Sequence, residues 1–156
     1  MRTSEVEFSF PVLGFTPDVD AWVFKDRKML TTCGPDTLKK QMQVGMELVD
    51  ADGRRWRVTS VRALGPIRPL WLWLIHLLAL KPQTRIDQEL EPLDPLSLDE
   101  IKARVCACYE AHRDWYEAED EEDYQRELVP LLEQVRAARS VAEIDECTGL
   151  DSFNAY

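Results

Sequence analysis

The side chains best suited to chemistry are four cysteines and two histidines, and their spacing limits what they could do. Cys106, Cys108 and His112 come nearest to a metal set. On a helix, Cys108 and His112 stand four apart on one face, whereas Cys106 lies about 200° around the axis from Cys108. Structural zinc takes four ligands arriving in closely spaced pairs, and no second pair exists here. The expectation is buried small hydrophobes with a capping histidine, and neither metal nor disulfide. Cys33, in Thr31-Thr32-Cys33-Gly34-Pro35, stands beside a tight turn, as some nucleophiles do. A catalytic cysteine also needs a base and an orienting group. His76 lies within the most apolar stretch and is expected to be a satisfied core residue. The carboxylates show no spacing that marks a glycosidase pair or a metal triad. The sequence contains no phosphate loop, dinucleotide glycine fingerprint or Gly-x-Ser-x-Gly turn. The chain therefore reads as a non-enzyme with no catalytic residues and no cofactor.

Charge is the more informative signal. Through Arg85 there are 9 Asp/Glu against 13 Lys/Arg, a balance of +4; from Ile86 onward there are 20 against 6, a balance of −14. The acid peaks at Glu117-Ala118-Glu119-Asp120-Glu121-Glu122-Asp123, bracketed by Trp115, Tyr116 and Tyr124. Aromatic anchors inside a charged rim are how tight protein interfaces are often built. Tyr116, Glu117, Glu119, Asp120, Glu121, Glu122, Asp123 and Tyr124 are accordingly the candidate partner-binding residues. The competing reading of such a run is a solvated loop.

The basic counterpart is Arg54-Arg55-Trp56-Arg57, with Arg62, Arg68 and Lys39-Lys40. Arginine beside an aromatic can stack on bases and hold phosphates. At a net charge of −10, outward strand residues balancing the acidic half are the better reading, and no nucleic-acid partner is expected. Pro69–Leu80, with Trp71 and Trp73, has about 11 apolar positions where a membrane-spanning helix needs ~20, so no transmembrane segment is expected. Core or a binding surface are the two uses open to that segment.

These residues need a scaffold, and hydrophobic patterning supplies one. Val6–Phe10 reads as a strand ending at Pro11. Ala21–Phe24 and Met29–Thr32 read as strands around the charged turn Lys25–Lys28. Asp52-Gly53 predicts a two-residue hairpin turn between Met46–Asp50 and Arg55–Ala63. Trp56 and Val58 share a face that Val61 does not, which implies a bulge near Thr59-Ser60 or burial on both faces. Leucine-rich 70–80 favours helix. Thr84–Leu90 alternates as a strand, and Glu91–Leu96 reads as a proline-punctuated connector.

The second half is helical. Ser97 and Glu100 form a capping box, followed by a stripe of Ile101, Val105, Cys108, His112 and Trp115. Trp115 is expected in the core and the acidic run after it in solvent. Tyr124–Arg139 reads as a helix with Leu128, Leu131, Leu132 and Val135 inward, which Pro130 either starts or kinks. Ser140 and Glu143 predict a second capping box, opening a short helix that Gly149 ends.

At 156 residues this is one α+β domain: 1–91 mainly antiparallel strands with an apolar helix near 70–80, and 97–149 helical. The start of the sequence shows no secretory signal, and the irregular cysteines suit a reducing cytoplasm. Small size, acidity concentrated on one surface, this layout and the missing catalytic parts resemble bacterial toxin-immunity proteins of the contact-dependent and polymorphic toxin systems. The resemblance is compositional and architectural and has no motif behind it. It implies a cognate, basic toxin domain as partner. The alternatives are a regulatory or membrane-surface binder using the basic strands with Trp71 and Trp73, and an orphan enzyme.

Overall fold

The computed structural model describes residues 1–66, 83–113 and 120–150. The expected helix at 70–80, with Trp71, Trp73 and His76, lies outside the described residues, as do Arg68, Trp115, Tyr116, Glu117 and Glu119. The fold is α+β. Six strands, β1 (Val12–Phe15), β2 (Ala21–Phe24), β3 (Thr32–Cys33), β4 (Glu47–Val49), β5 (Arg55–Pro66) and β6 (Thr84–Leu93), form an antiparallel sheet in the order β2-β1-β4-β5-β6-β3. Two short helices, α1 (Arg27–Leu30) and α2 (Pro35–Lys39), interrupt the sheet half. The C-terminal layer comprises α3 (Leu98–Ala111), α4 (Glu121–Asp123), a π-helical turn at Tyr124–Leu128, α5 (Val129–Ala137) and α6 (Val141–Thr148). Among the described residues no helix is long and apolar enough to cross a membrane.

Strand residues alternate between two faces, and both faces are covered. Leu13, Phe15, Ala21, Val23 and Val49 meet Ile101, Val105, Leu128, Leu132, Val135 and Ile144 of the helices in one buried cluster. Val12, Phe24, Leu48, Trp56, Val58 and Leu90 form a second cluster with Val6, Phe8, Leu30 and Met46. The ladder between β5 and β6 is irregular between Val58 and Ser60, which brings Val61 onto the same cluster as Trp56 and Val58. Of the two readings of that strand, the bulge is the one realised.

Several local expectations are corrected. Val6–Phe10 is not a strand; the ladder starts beyond Pro11. Side chains satisfy that segment's backbone instead: Arg27 donates to the Val6 carbonyl at 2.6 Å, Arg54 to that of Glu7 at 2.7 Å, and Asp50 accepts from Ser9 N–H at 3.3 Å. Met29 and Leu30 belong to a helical turn capped by Asp26, whose carboxylate accepts from Met29 N–H at 2.7 Å. The short strand that follows pairs with β6 rather than returning to β2.

The connector expected at Glu91–Leu96 is shorter, because β6 runs through Pro92 to Leu93. A proline is tolerated there since the N-terminal segment and β3 flank β6 only as far as Leu90 among the described residues. Pro130 stands in the first turn of α5, the starting position that is one of its two readings, and a π-helical turn leads into it. The Val129 amide reaches back five residues to the Tyr124 carbonyl, and this widened turn accommodates a ring that has no N–H to donate. Ser140 caps α6, but the Glu143 carboxylate takes the Arg139 N–H at 2.7 Å, so the second capping box is only half formed. The Ser97 and Glu100 box is complete, and Gly149 ends α6 with φ +57°.

The turn between β4 and β5 has three residues, Ala51–Gly53, inside the hydrogen-bonded Asp50–Arg54 pair, rather than two. Asp50 N–H donates to Arg54 at 3.0 Å, Gly53 N–H donates back to Asp50 at 2.9 Å, and Gly53 takes φ +80°. A β-carbon at Gly53 would also collide with the Leu96 carbonyl. Asp50, fully buried, organises this turn: its carboxylate accepts from Asp52 and Arg54 N–H at 3.1 and 3.0 Å and from Arg54 Nε at 2.9 Å. Asp50→Ala leaves these donors and Ser9 N–H without an acceptor. It is expected to destabilise by roughly 2–4 kcal/mol in urea melts, below the loss for a fully buried ion pair because Arg54 is half exposed. Asp50→Asn should recover part of that loss.

Candidate functional site

The described part of the acidic run is the helical turn from Asp120 to Tyr124. It forms because the Asp120 side chain caps it, accepting from Asp123 N–H at 2.8 Å, and because carboxylates are favoured in a first helical turn. Asp120, Glu121 and Glu122 are exposed. Glu121 accepts from Gln125 Nε2 at 2.8 Å, and Arg126 ion-pairs with both Asp123 and Glu127. Glu122 makes no ion pair among the described residues.

Tyr124 is used differently from its neighbours. Its hydroxyl donates to Glu110 Oε1 at 2.6 Å, and the Arg113 guanidinium lies over its ring at 3.8 Å while donating to Glu110 Oε2 at 2.6 Å. This triad latches the acidic turn to the end of α3. The Tyr124 hydrogen bond holds the Glu110 carboxyl below its ordinary range, with Arg113 adding to that and partial burial opposing it. The same bond pushes the Tyr124 phenol up. Glu110 and Arg113 were not among the sequence candidates, although their i, i+3 spacing on a helix was the available signal.

The other chemical candidates are built into packing. Cys106 and Cys108 are both buried, in the apolar cluster between the helices and the sheet. Burial pushes the Cys108 thiol up to about 12, and the Cys33, Cys106 and Cys147 thiols upward as well. Such thiols are poor nucleophiles and poor ligands at neutral pH. His112 is the C-cap residue of α3, with Nε2 at 3.3 Å from the Asp18 carbonyl oxygen. Among the described residues all four cysteines are unpaired, and no group of three or more His, Cys, Asp or Glu could hold a metal ion.

The arginines of the basic strands, most of them half exposed, pair with carboxylates of their own fold. Arg55 and Arg57 from β5 and Arg104 from α3 converge on Glu47 at 3.7, 3.3 and 2.6 Å. Arg57 also meets Glu91, Arg62 meets Asp87, and Arg54 meets Asp50. Burial pushes the Glu47 carboxyl up, but the three arginines outweigh it and hold it below the ordinary range. Lys39 and Lys40 are exposed and make no ion pair among the described residues.

Together these features define an α+β protein in which the arginines of β5 meet carboxylates of their own fold and the turn at Asp120–Glu122 presents acid outward. Comparison with models of protein families, with curated proteins and with solved structures finds no match to this chain.

The latch gives a pH signature. A carboxyl held low contributes stability above its unfolded value, lost as pH falls through the lower folded value. In a carboxyl-detected NMR titration, Glu110 should titrate below the ordinary glutamate range. Tyr124→Phe should move it upward and narrow the acid window in which α4 stays docked; an unmoved Glu110 would mean that the hydroxyl does not hold it.

Proposed function

We propose that this chain is a non-enzymatic protein-binding module that inhibits a basic partner, and that the partner is a toxin's catalytic domain. The surface assigned to it runs from Tyr116 through Glu117, Glu119, Asp120, Glu121, Glu122 and Asp123 to Tyr124. One observation carries this reading: Asp120, Glu121 and Glu122 are exposed on a capped turn, and Glu122 has no cationic partner among the described residues. A rigid, outward acidic surface is what an inhibitor of a basic protein requires, because charge complementarity steers encounter and sets the association rate. The fixed position of Tyr124 supports it further, since an anchor already ordered before binding loses little entropy on association. The rival use of the basic strands as the binding surface is disfavoured by Arg54, Arg55, Arg57 and Arg62, each of which already meets a carboxylate of its own fold. The resemblance to toxin-immunity proteins points the same way, and implies action in a bacterial cytoplasm.

Co-expression with the product of the adjacent gene tests the proposal. That product alone should arrest growth, and this chain should restore it. Charge reversal at Asp120 and Glu122 should weaken the rescue while leaving the fold intact by circular dichroism, since exposed charges contribute about 0–1 kcal/mol to stability. A harmless neighbour, or rescue indifferent to both reversals, would contradict the reading.

A further inference from the structure

Two hairpins of this sheet close in the same way. In the β1–β2 turn, Thr16 N–H donates to Asp20 at 2.9 Å and Val19 N–H to Thr16 at 3.1 Å. In the β4–β5 turn, Asp50 and Gly53 make the equivalent bonds. The third loop residue is left-handed in both, with φ +60° at Val19 and +80° at Gly53. Glycine meets that requirement without cost, and asparagine nearly so, whereas a β-branched side chain is strained there. Burial does not compensate the strain, because Val19 is 47% exposed. Nothing in the folding of this turn accounts for valine.

The position of the turn supplies a reason. The Asp18 carbonyl lies against His112 at the end of α3, and the next residue, Arg113, covers Tyr124 of the acidic turn. The Val19 turn therefore stands at the same end of α3 as the latch, with the exposed Asp18 carboxylate beside it. An apolar tip flanked by the Asp18 carboxylate, at the same end of α3 as the acidic turn, fits a partner bearing an apolar recess within a basic rim. We propose that Val19 is an apolar anchor for the basic protein that the Asp120–Tyr124 turn attracts; this rests on the binding function proposed above. Backbone strain kept for an exposed contact is a known trade of stability against function.

The test uses the full chain and, as probe, a catalytically inactive form of the adjacent gene's product. Val19→Gly and Val19→Asn both suit a left-handed residue and both remove the apolar side chain. Each should melt a few degrees above wild type, yet release the probe about tenfold faster, as expected when one buried apolar anchor is lost. Unchanged or lower melting in both variants would show that no strain is held. Higher melting with unchanged release, while wild type binds, would remove Val19 from the interface and leave the acidic surface standing. Failure of wild type itself to bind the probe would overturn the binding function and this inference together.

Discussion

Glu47 gathers three arginines where the two layers of this molecule meet. It stands on β4, facing the helices, and receives Arg55 and Arg57 from the neighbouring strand and Arg104 from α3. Arg104 in turn lies over the Phe15 ring at 5.5 Å, so the helix is fixed to β1 as well. Without this one carboxylate, three guanidinium groups would crowd a half-buried site, and like charges there are costly. The apolar cluster beneath the helices fixes that the layers associate. The ionic cluster constrains their register, because Arg104 must reach Glu47 while stacked on Phe15, and a stacked arginine is selective in geometry.

That arrangement also explains where the charge of the protein is left over. The sheet half has a basic excess in sequence, yet the arginines of β5 are consumed by Glu47, Asp87 and Glu91. The exposed acid at Asp120–Glu122 has less local opposition, Arg126 being committed to Asp123 and Glu127. A charge asymmetry along the chain thus becomes an asymmetry of free charge in space, and the Glu110–Arg113–Tyr124 latch holds it still.

Much of this was legible from patterning. The Ser97–Glu100 box, the stripe from Ile101 to Cys108 and the break at Gly149 follow from local rules of helix capping, and all are realised. The bulge after Val58 was legible as a conflict between Trp56, Val58 and Val61 on a period-two strand. Apart from the local Asp26 cap, what failed was decided by contacts distant in sequence. Val6–Phe10 has strand composition, but Arg27, Arg54 and Asp50 reach its backbone first. Met29 reads as a strand residue only if the Asp26 cap is overlooked. Pro92 reads as a breaker unless it is known that β6 has no second neighbour there among the described residues. Of the candidate site, the acidic run could be read directly, whereas the latch that holds Tyr124 could not, since it depends on how α3 and α4 meet.

The most direct test of the central claim, that free acid on the helical layer steers a basic partner, is the salt dependence of association with the adjacent gene's product in stopped flow. Screening shortens to ~8 Å at physiological ionic strength. The association rate should fall about tenfold or more between low and high salt, with dissociation nearly constant. A complex that forms at a salt-independent rate would contradict the account.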